Sequence, residues 1–168
     1  MIRIEDLQVR FDSDKGVVHA VRGVSIDVAA GEFYTLLGPS GCGKTTTLRC
    51  LAGLERPTGG RITIGNALVH DSARGVTVPT HKRDIGMVFQ SYAIWPHLTV
   101  FENVAFPLRE VNPRIPEAQI EARVGKALEL VQLSGYESRP APFLSGGQQQ
   151  RLALARAIVR EASVVLFD

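Results

Sequence analysis

The chain has 168 residues, 45% of them hydrophobic and 21% charged, which is ordinary globular composition. A domain of this length buries roughly 70% of its unfolded surface, enough for a true core. Lys and Arg number 19 and Asp and Glu 17, and a net charge of +2 is too small to argue for nucleic acid or an anionic membrane surface as partner.

Met1 leads directly into the polar, alternating Ile2-Arg3-Ile4-Glu5-Asp6, with no apolar segment of a signal peptide. Unbroken apolar runs are short against the ~20 residues that span a bilayer. The expectation is a soluble chain whose membrane role comes through a partner.

Residues 1 to 30 read as antiparallel strands. Ile2, Ile4, Val9 and Phe11 follow one alternation and Val24, Ile26 and Val28 another, with a turn signal at Asp12-Ser13-Asp14-Lys15-Gly16. Phe33-Tyr34-Thr35-Leu36-Leu37, bounded by Gly31 and Gly38, has the pattern of a buried strand. Thr45 to Ala52 is helix-like, and Gly53 suits its carboxyl end. Arg61 to Ile64 and Ile85 to Phe89 are short strands, with loop-rich sequence at 65–84. Pro116 starts a helix with Glu117 in its first turn; Ile120, Val124, Ala127 and Val131 repeat at helical spacing, and Gly135 ends it. Gln148 to Arg160 is a further helix, with Leu152, Ala155 and Val159 on one face. Val164 to Phe167 is an apolar strand, followed by Asp168. Strands alternating with helices describe an α/β domain with parallel core strands.

If Cys42 and Cys50 sit on one helix, they are about 12 Å apart along its axis, too far for a disulfide. Reduced thiols are the simple expectation. His19, His70, His81 and His97 lack the spacing of a metal set.

Gly38-Pro39-Ser40-Gly41-Cys42-Gly43-Lys44-Thr45 fits G-x-x-x-x-G-K-[ST], between a predicted strand and a predicted helix. The glycines let the backbone curl so that successive N–H groups point at phosphate oxygens. The helix adds its positive amino end. In this motif Lys44 reaches the β- and γ-phosphates and the Thr45 hydroxyl binds magnesium. A dinucleotide fingerprint fails, because the position where its last glycine should stand is Thr46. Cys42 is either a thiol activated by the helix end or simply a small turn residue.

Leu144-Ser145-Gly146-Gly147-Gln148 alone reads as a turn and a helix cap. Beside a phosphate loop it reads differently. With Gln149-Gln150-Arg151-Leu152-Ala153-Leu154-Ala155-Arg156-Ala157 it resembles the signature segment of the nucleotide-binding subunits of ABC transporters. The resemblance covers essentially the whole chain, and the order of aromatic, phosphate loop, glutamine, signature and strand-ending aspartate agrees with it.

That resemblance implies a phosphate-loop nucleoside triphosphatase core, with an N-terminal antiparallel β subdomain and an inserted helical subdomain. The parts would be 1–90, 91–150 and 151–168 of a single partial domain. It implies ATP and Mg2+ as cofactors. Gly38 to Thr45 and Thr46 would bind nucleotide, and Phe11 would stack on adenine, where the plain alternative is a strand core residue. Ser145, Gly146, Gly147 and Gln148 would serve the ATP of the opposite subunit in a two-fold pair. Thr45, Gln90 and Asp168 would hold magnesium, and Lys44 and Gln90 would act on the reacting phosphate and water. The apolar segment 91–106, with Trp95 and Pro96 exposed, would receive a helix of a membrane permease. A solute-binding protein would act indirectly, and nucleic acid would not be a partner. The subunit would lie peripherally on the cytoplasmic face of the cell membrane.

The Pro-His-Leu-Thr-Val run at 96–100 resembles uptake ATPases for iron(III), polyamines and sugars. The family places its catalytic glutamate directly after the strand-ending aspartate, and here the sequence stops at Asp168. The expectation is a C-terminally truncated ATPase with an incomplete core sheet that binds ATP without turning it over. The alternatives are a soluble ATPase of the same type acting on nucleic acid or ribosomes, and a small-molecule kinase of the phosphate-loop class.

Overall fold

The computed structural model describes residues 1–13, 16–110 and 114–168. It divides into two compact units, Met1–Asp84 and Ile85–Asp168.

The described residues of the first unit form an antiparallel sheet with one α-helix. Strands β1 (Ile2–Ser13), β2 (Gly16–Val28), β3 (Gly59–Ile64), β4 (Ala67–Asp71) and β5 (Val76–Thr77) stand in the order β2-β1-β3-β4-β5. The alternation in β1 changes phase at Asp6, which has φ 48 and interrupts the pairing with both neighbours. That bulge lets Ile2 and Ile4, and then Leu7 and Val9, face one core although their numbering parity differs. Of the expected turn, Ser13 pairs with Gly16, while Asp14 and Lys15 lie outside the described residues. Helix α1 (Lys44–Ala52) buries Thr47, Cys50, Leu51 and Ala52, and Gly53 closes it with φ 77, as expected.

Two expectations need correction here. Residues 65–84 are not simply loop: β3 and β4 form a hairpin whose two-residue turn is Gly65-Asn66, with Gly65 at φ 58. The run Phe33 to Leu37 is not a buried strand. Phe33 is 86% and Leu37 96% exposed, and no described strand pairs with the run. An apolar sequence becomes a strand only where a neighbour takes its N–H and C=O groups.

His70, on β4, is 2% exposed, and neither ring nitrogen has a hydrogen-bond partner among the described residues. Burial, and then the charges of Arg83 and Arg56, push its pKa down, so the imidazole is neutral in the fold.

Among its described residues the second unit holds a two-stranded parallel sheet and three α-helices. Strand β6 (Ile85–Val88) pairs with β7 (Val164–Phe167). Helices α2 (Val100–Arg109), α3 (Glu117–Leu130) and α4 (Gly146–Ile158) bury a shared core that includes Val104, Leu108, Ile120, Val124, Leu128 and Leu152. Helix α2 begins with a capping box: Glu102 N donates to Thr99 Oγ1 at 3.2 Å, and Thr99 N donates to Glu102 Oε2 at 2.8 Å. Helix α3 starts after Pro116 as expected but ends at Leu130. Gln132, at φ 56, takes the left-handed turn there, ahead of the expected stop at Gly135. Helix α4 packs on β6 through Ala153 and Ala157 against Val88. Gly86 makes this approach possible, since a Cβ there would meet the Ala157 carbonyl oxygen at 2.3 Å. No helix among the described residues is long and apolar enough to cross a membrane.

Candidate functional site

In the first unit the loop Gly38–Gly43 runs exposed or half-buried into α1. Gly43, at φ 95, is the helix cap residue. A Cβ there would stand 2.4 Å from the Ala20 carbonyl oxygen of β2, so only glycine lets the loop lie this close to the sheet. The Thr47 backbone N–H and hydroxyl both donate to the Gly43 carbonyl, at 2.8 and 2.9 Å, which fixes the first turn. No side chain caps α1, and its first turn carries no acidic residue. The amino end therefore keeps its positive field for an outside anion.

Lys44 opens that helix and folds back over the loop. Its Nζ donates to the Gly38 and Pro39 carbonyls at 2.8 and 2.9 Å and lies 3.5 Å from Cys42 Sγ. Pro39, Ser40, Gly41, Cys42 and Thr45 are exposed, and Thr46 is half-buried. Phe11, on β1 opposite Val18, is 39% exposed.

The far end of α1 is held by a residue that no sequence pattern singles out. Arg83 is 2% exposed. Its Nη1 donates to the Cys50 and Leu51 carbonyls at 2.6 and 2.7 Å, and its Nε to Val78 O at 2.9 Å. Burial lowers its pKa, yet a guanidinium stays charged. A lone arginine before an apolar strand has no motif to announce it.

In the second unit Gln90 and Asp168 stand together at one sheet end. The register Val88 with Phe167 continues so that Asp168 N donates to Val88 O at 3.0 Å. Gln90 follows two residues after Val88 and is exposed. Both thus lie beyond the carboxyl ends of adjacent parallel strands, where ligands bind in open α/β sheets.

Ser145 caps α4. Gln148 N donates to Ser145 Oγ at 3.4 Å, and Ser145 N donates to Gln148 Oε1 at 2.8 Å. Gly146 and Gly147 fill the first turn without need from inside the fold, because a Cβ on either meets nothing within 4 Å. Glycine costs about 1 kcal/mol in a helix interior relative to alanine. Their presence in open space leaves room for something outside the unit.

The segment after Gln90 is unusual. Tyr92 (φ 60) and Ala93 (φ 46) are both left-handed. Their carbonyls accept from the Arg156 guanidinium, Nη2 to Tyr92 at 2.7 Å and Nη1 to Ala93 at 2.6 Å. Trp95 was expected to be exposed and is half-buried. Its ring packs 4.5 Å from Phe106 and lies 4.8 Å beneath Arg156. Asn103, fully buried, accepts from Trp95 N at 3.0 Å and donates to the Thr99 carbonyl at 2.9 Å. Pro96 is exposed as expected.

A glycine-rich turn that wraps lysine onto an uncapped helix amino end defines the phosphate-loop class of nucleotide-binding proteins. The ABC transporter family matches residues 21–168, and the chain belongs to that family. It is 54% identical, over 91% of its length, to the trehalose/maltose import ATP-binding protein MalK of Thermococcus litoralis. It is 52% identical, over 99% of its length, to the spermidine/putrescine import ATP-binding protein PotA of Acidothermus cellulolyticus. These alignments take in 41% and 42% of the relatives' own lengths, so the chain spans about two fifths of each curated relative. A solved dimeric bacterial ABC transporter cassette superposes with a TM-score of 0.87 at 31% identity, covering all of this chain and 73% of that one. A post-hydrolysis state of such a cassette, bound to ADP and Pi, gives 0.86 at 29% identity over the same 73%.

Proposed function

We propose that this chain is the ATP-binding portion of a subunit that drives solute import across a membrane. The observation that carries the reading is the phosphate loop: Lys44 sits on a curled, exposed turn whose helix end has no side-chain cap and no acid of its own. Phosphate oxygens would take the loop N–H groups and the lysine ammonium, and Phe11 would stack on the base.

The family resemblance would assign magnesium to the Thr45 hydroxyl of the first unit and to the Gln90 amide oxygen and the Asp168 carboxylate of the second. An all-oxygen set suits Mg2+, which takes one or two carboxylates together with nucleotide phosphates. When bound, the magnesium nucleotide supplies the phosphoryl group and neutralises charge on it. Gln90 orients the attacking water, and Lys44 draws negative charge from the transferred group.

The amino end of α4 would serve a nucleotide held by a second copy or a paired subunit. The open space at Gly146 and Gly147 supports this. ATP that binds the closed pair better than the open one drives closure. Residues 91–106 would receive a helix of a permease on the cytoplasmic face of the membrane, with a solute-binding protein acting through it. Import ATP-binding proteins among the relatives support this reading, and sugar or polyamine uptake is the substrate class their names suggest. Turnover, pairing and transport are assigned to the whole protein. The partition into 1–90, 91–150 and 151–168 belongs to the same reading.

The test is titration of Mg-ATP into the protein and into Lys44→Ala. Loss of a charge-assisted contact, about 2 kcal/mol, weakens binding about 30-fold. Equal affinity in the two proteins would sink the reading.

A further inference from the structure

Arg156 stands near the carboxyl end of α4, the helix that Ser145 caps. Its guanidinium reaches the backbone just beyond Gln90 and grips it in three ways: through the Ala93 carbonyl at 2.6 Å, the Tyr92 carbonyl at 2.7 Å, and the Trp95 ring at 4.8 Å. The strap it grips is not relaxed. Tyr92 and Ala93 are successive side-chain-bearing residues at φ 60 and φ 46, a conformation such residues leave unless the surroundings hold them. The planar fork of arginine suits two adjacent carbonyls with a ring beneath it, which a lysine ammonium cannot reproduce.

We propose that Arg156 is a positioning residue for Gln90, locking the Tyr92–Trp95 strap to α4 so that the glutamine and the helix behind Ser145 move as one body. This rests on the ATP-hydrolysing reading above. Arg156 itself touches no substrate. Its role is to keep Gln90, two residues upstream of Tyr92, aimed at the water it must orient. Without the fork the strap is free to relax toward right-handed dihedrals and Gln90 changes direction. The Trp95 ring also meets Phe106 of α2, with ring centroids 4.5 Å apart and planes at 52°, so the same clamp reaches another helix of the unit.

Trp95 is the single tryptophan of these 168 residues, so with any tryptophan elsewhere in the whole protein replaced by Phe its emission reports on the strap. The experiment compares the whole protein with Arg156→Lys. It measures ATP binding stoichiometry and Kd, turnover per bound nucleotide, and Trp95 emission with and without Mg-ATP. The expected result is binding within about twofold of wild type, turnover per bound nucleotide down about tenfold or more, as misplaced groups cost, and loss of the nucleotide-dependent emission change. A merely structural role would lower the bound stoichiometry and leave turnover per bound nucleotide intact. That outcome overturns the inference, as does wild-type turnover with a wild-type emission response.

Should Arg156→Lys fail to fold, wild-type emission decides. If it is the same in the free, Mg-ATP and Mg-ADP states, the strap does not follow the nucleotide and the inference falls; a nucleotide-dependent change supports it. Failure of wild type to bind ATP at all refutes the functional reading instead, which keeps the two failures apart.

Discussion

The guanidinium of Arg83 closes the carboxyl end of α1, donating to the Cys50 carbonyl at 2.6 Å from a site only 2% exposed. Helix ends leave their last carbonyls without partners, and a cation there also meets the negative end of the helix. Removing the arginine strands several buried acceptors at once. Arg83→Met should therefore destabilise the protein by about 2–4 kcal/mol, read as a lowered denaturant midpoint with an unchanged slope. A change under about 0.5 kcal/mol would mean that water replaces the guanidinium without loss.

The two cysteines should behave oppositely. Cys42 is exposed beside Lys44, whereas Cys50 is fully buried and its thiol is pushed up to about 12, first by burial and then by the charge of Glu55. The thiolate is the reactive form, so a maleimide at neutral pH should label one site per folded chain. Cys42→Ser should abolish that labelling, and Mg-ATP should slow it. Mass spectrometry showing two labels on folded protein would contradict the burial of Cys50.

His70 predicts an acid-side weakness. Its pKa in the fold is lowered from 6.5, so the unfolded chain binds the proton more readily. Stability from this residue is complete above about pH 6.5 and is lost as pH falls below that value, until the folded imidazole also titrates. His70→Leu removes both the unpartnered nitrogens and the titration. Its stability relative to wild type should grow between pH 7 and pH 5 in chemical unfolding; a pH-independent difference would show that the ring finds a proton partner.

Glycines in two helices separate stability from use. A Cβ added at Gly125, exposed within α3, meets nothing within 4 Å, and the same holds for Gly147 in the first turn of α4. Gly125→Ala should stabilise by about 0.5–1 kcal/mol and leave turnover unchanged. Gly147→Ala should be neutral or mildly stabilising yet lower turnover by about tenfold, because a methyl would fill space kept for a phosphate. Equal turnover in both variants would remove the reason for placing a partner's nucleotide at α4.

Much of this was legible in the sequence, for reasons of distance along the chain. The phosphate loop and the Ser145 cap are local: a few adjacent residues set their own geometry, so pattern suffices. From the residues alone Gln90 and Asp168 read as strand ends, their magnesium role came only from the family resemblance, and it took the parallel register of β6 and β7 to put those strand ends side by side. Helix α2 was hidden, since Pro107 within it reads as a stop and the aromatic run obscured its period. The Thr99–Glu102 capping box was the available signal. Phe33 to Leu37 misled because apolar pattern reports what a segment wants to bury and is silent about which strand will lie beside it. Arg83 and Arg156 bond to carbonyls far away in sequence, and no spacing rule reaches that distance.

Lys44 rests on two carbonyls of its own loop. Each is exposed enough for water to take the lysine's place, so releasing the ammonium to an incoming phosphate leaves nothing stranded. Meanwhile the contact keeps the turn curled while the ligand is away. Arrival of a triphosphate is then an exchange of acceptors on a loop already shaped for it, and little chain entropy remains to be lost at that moment.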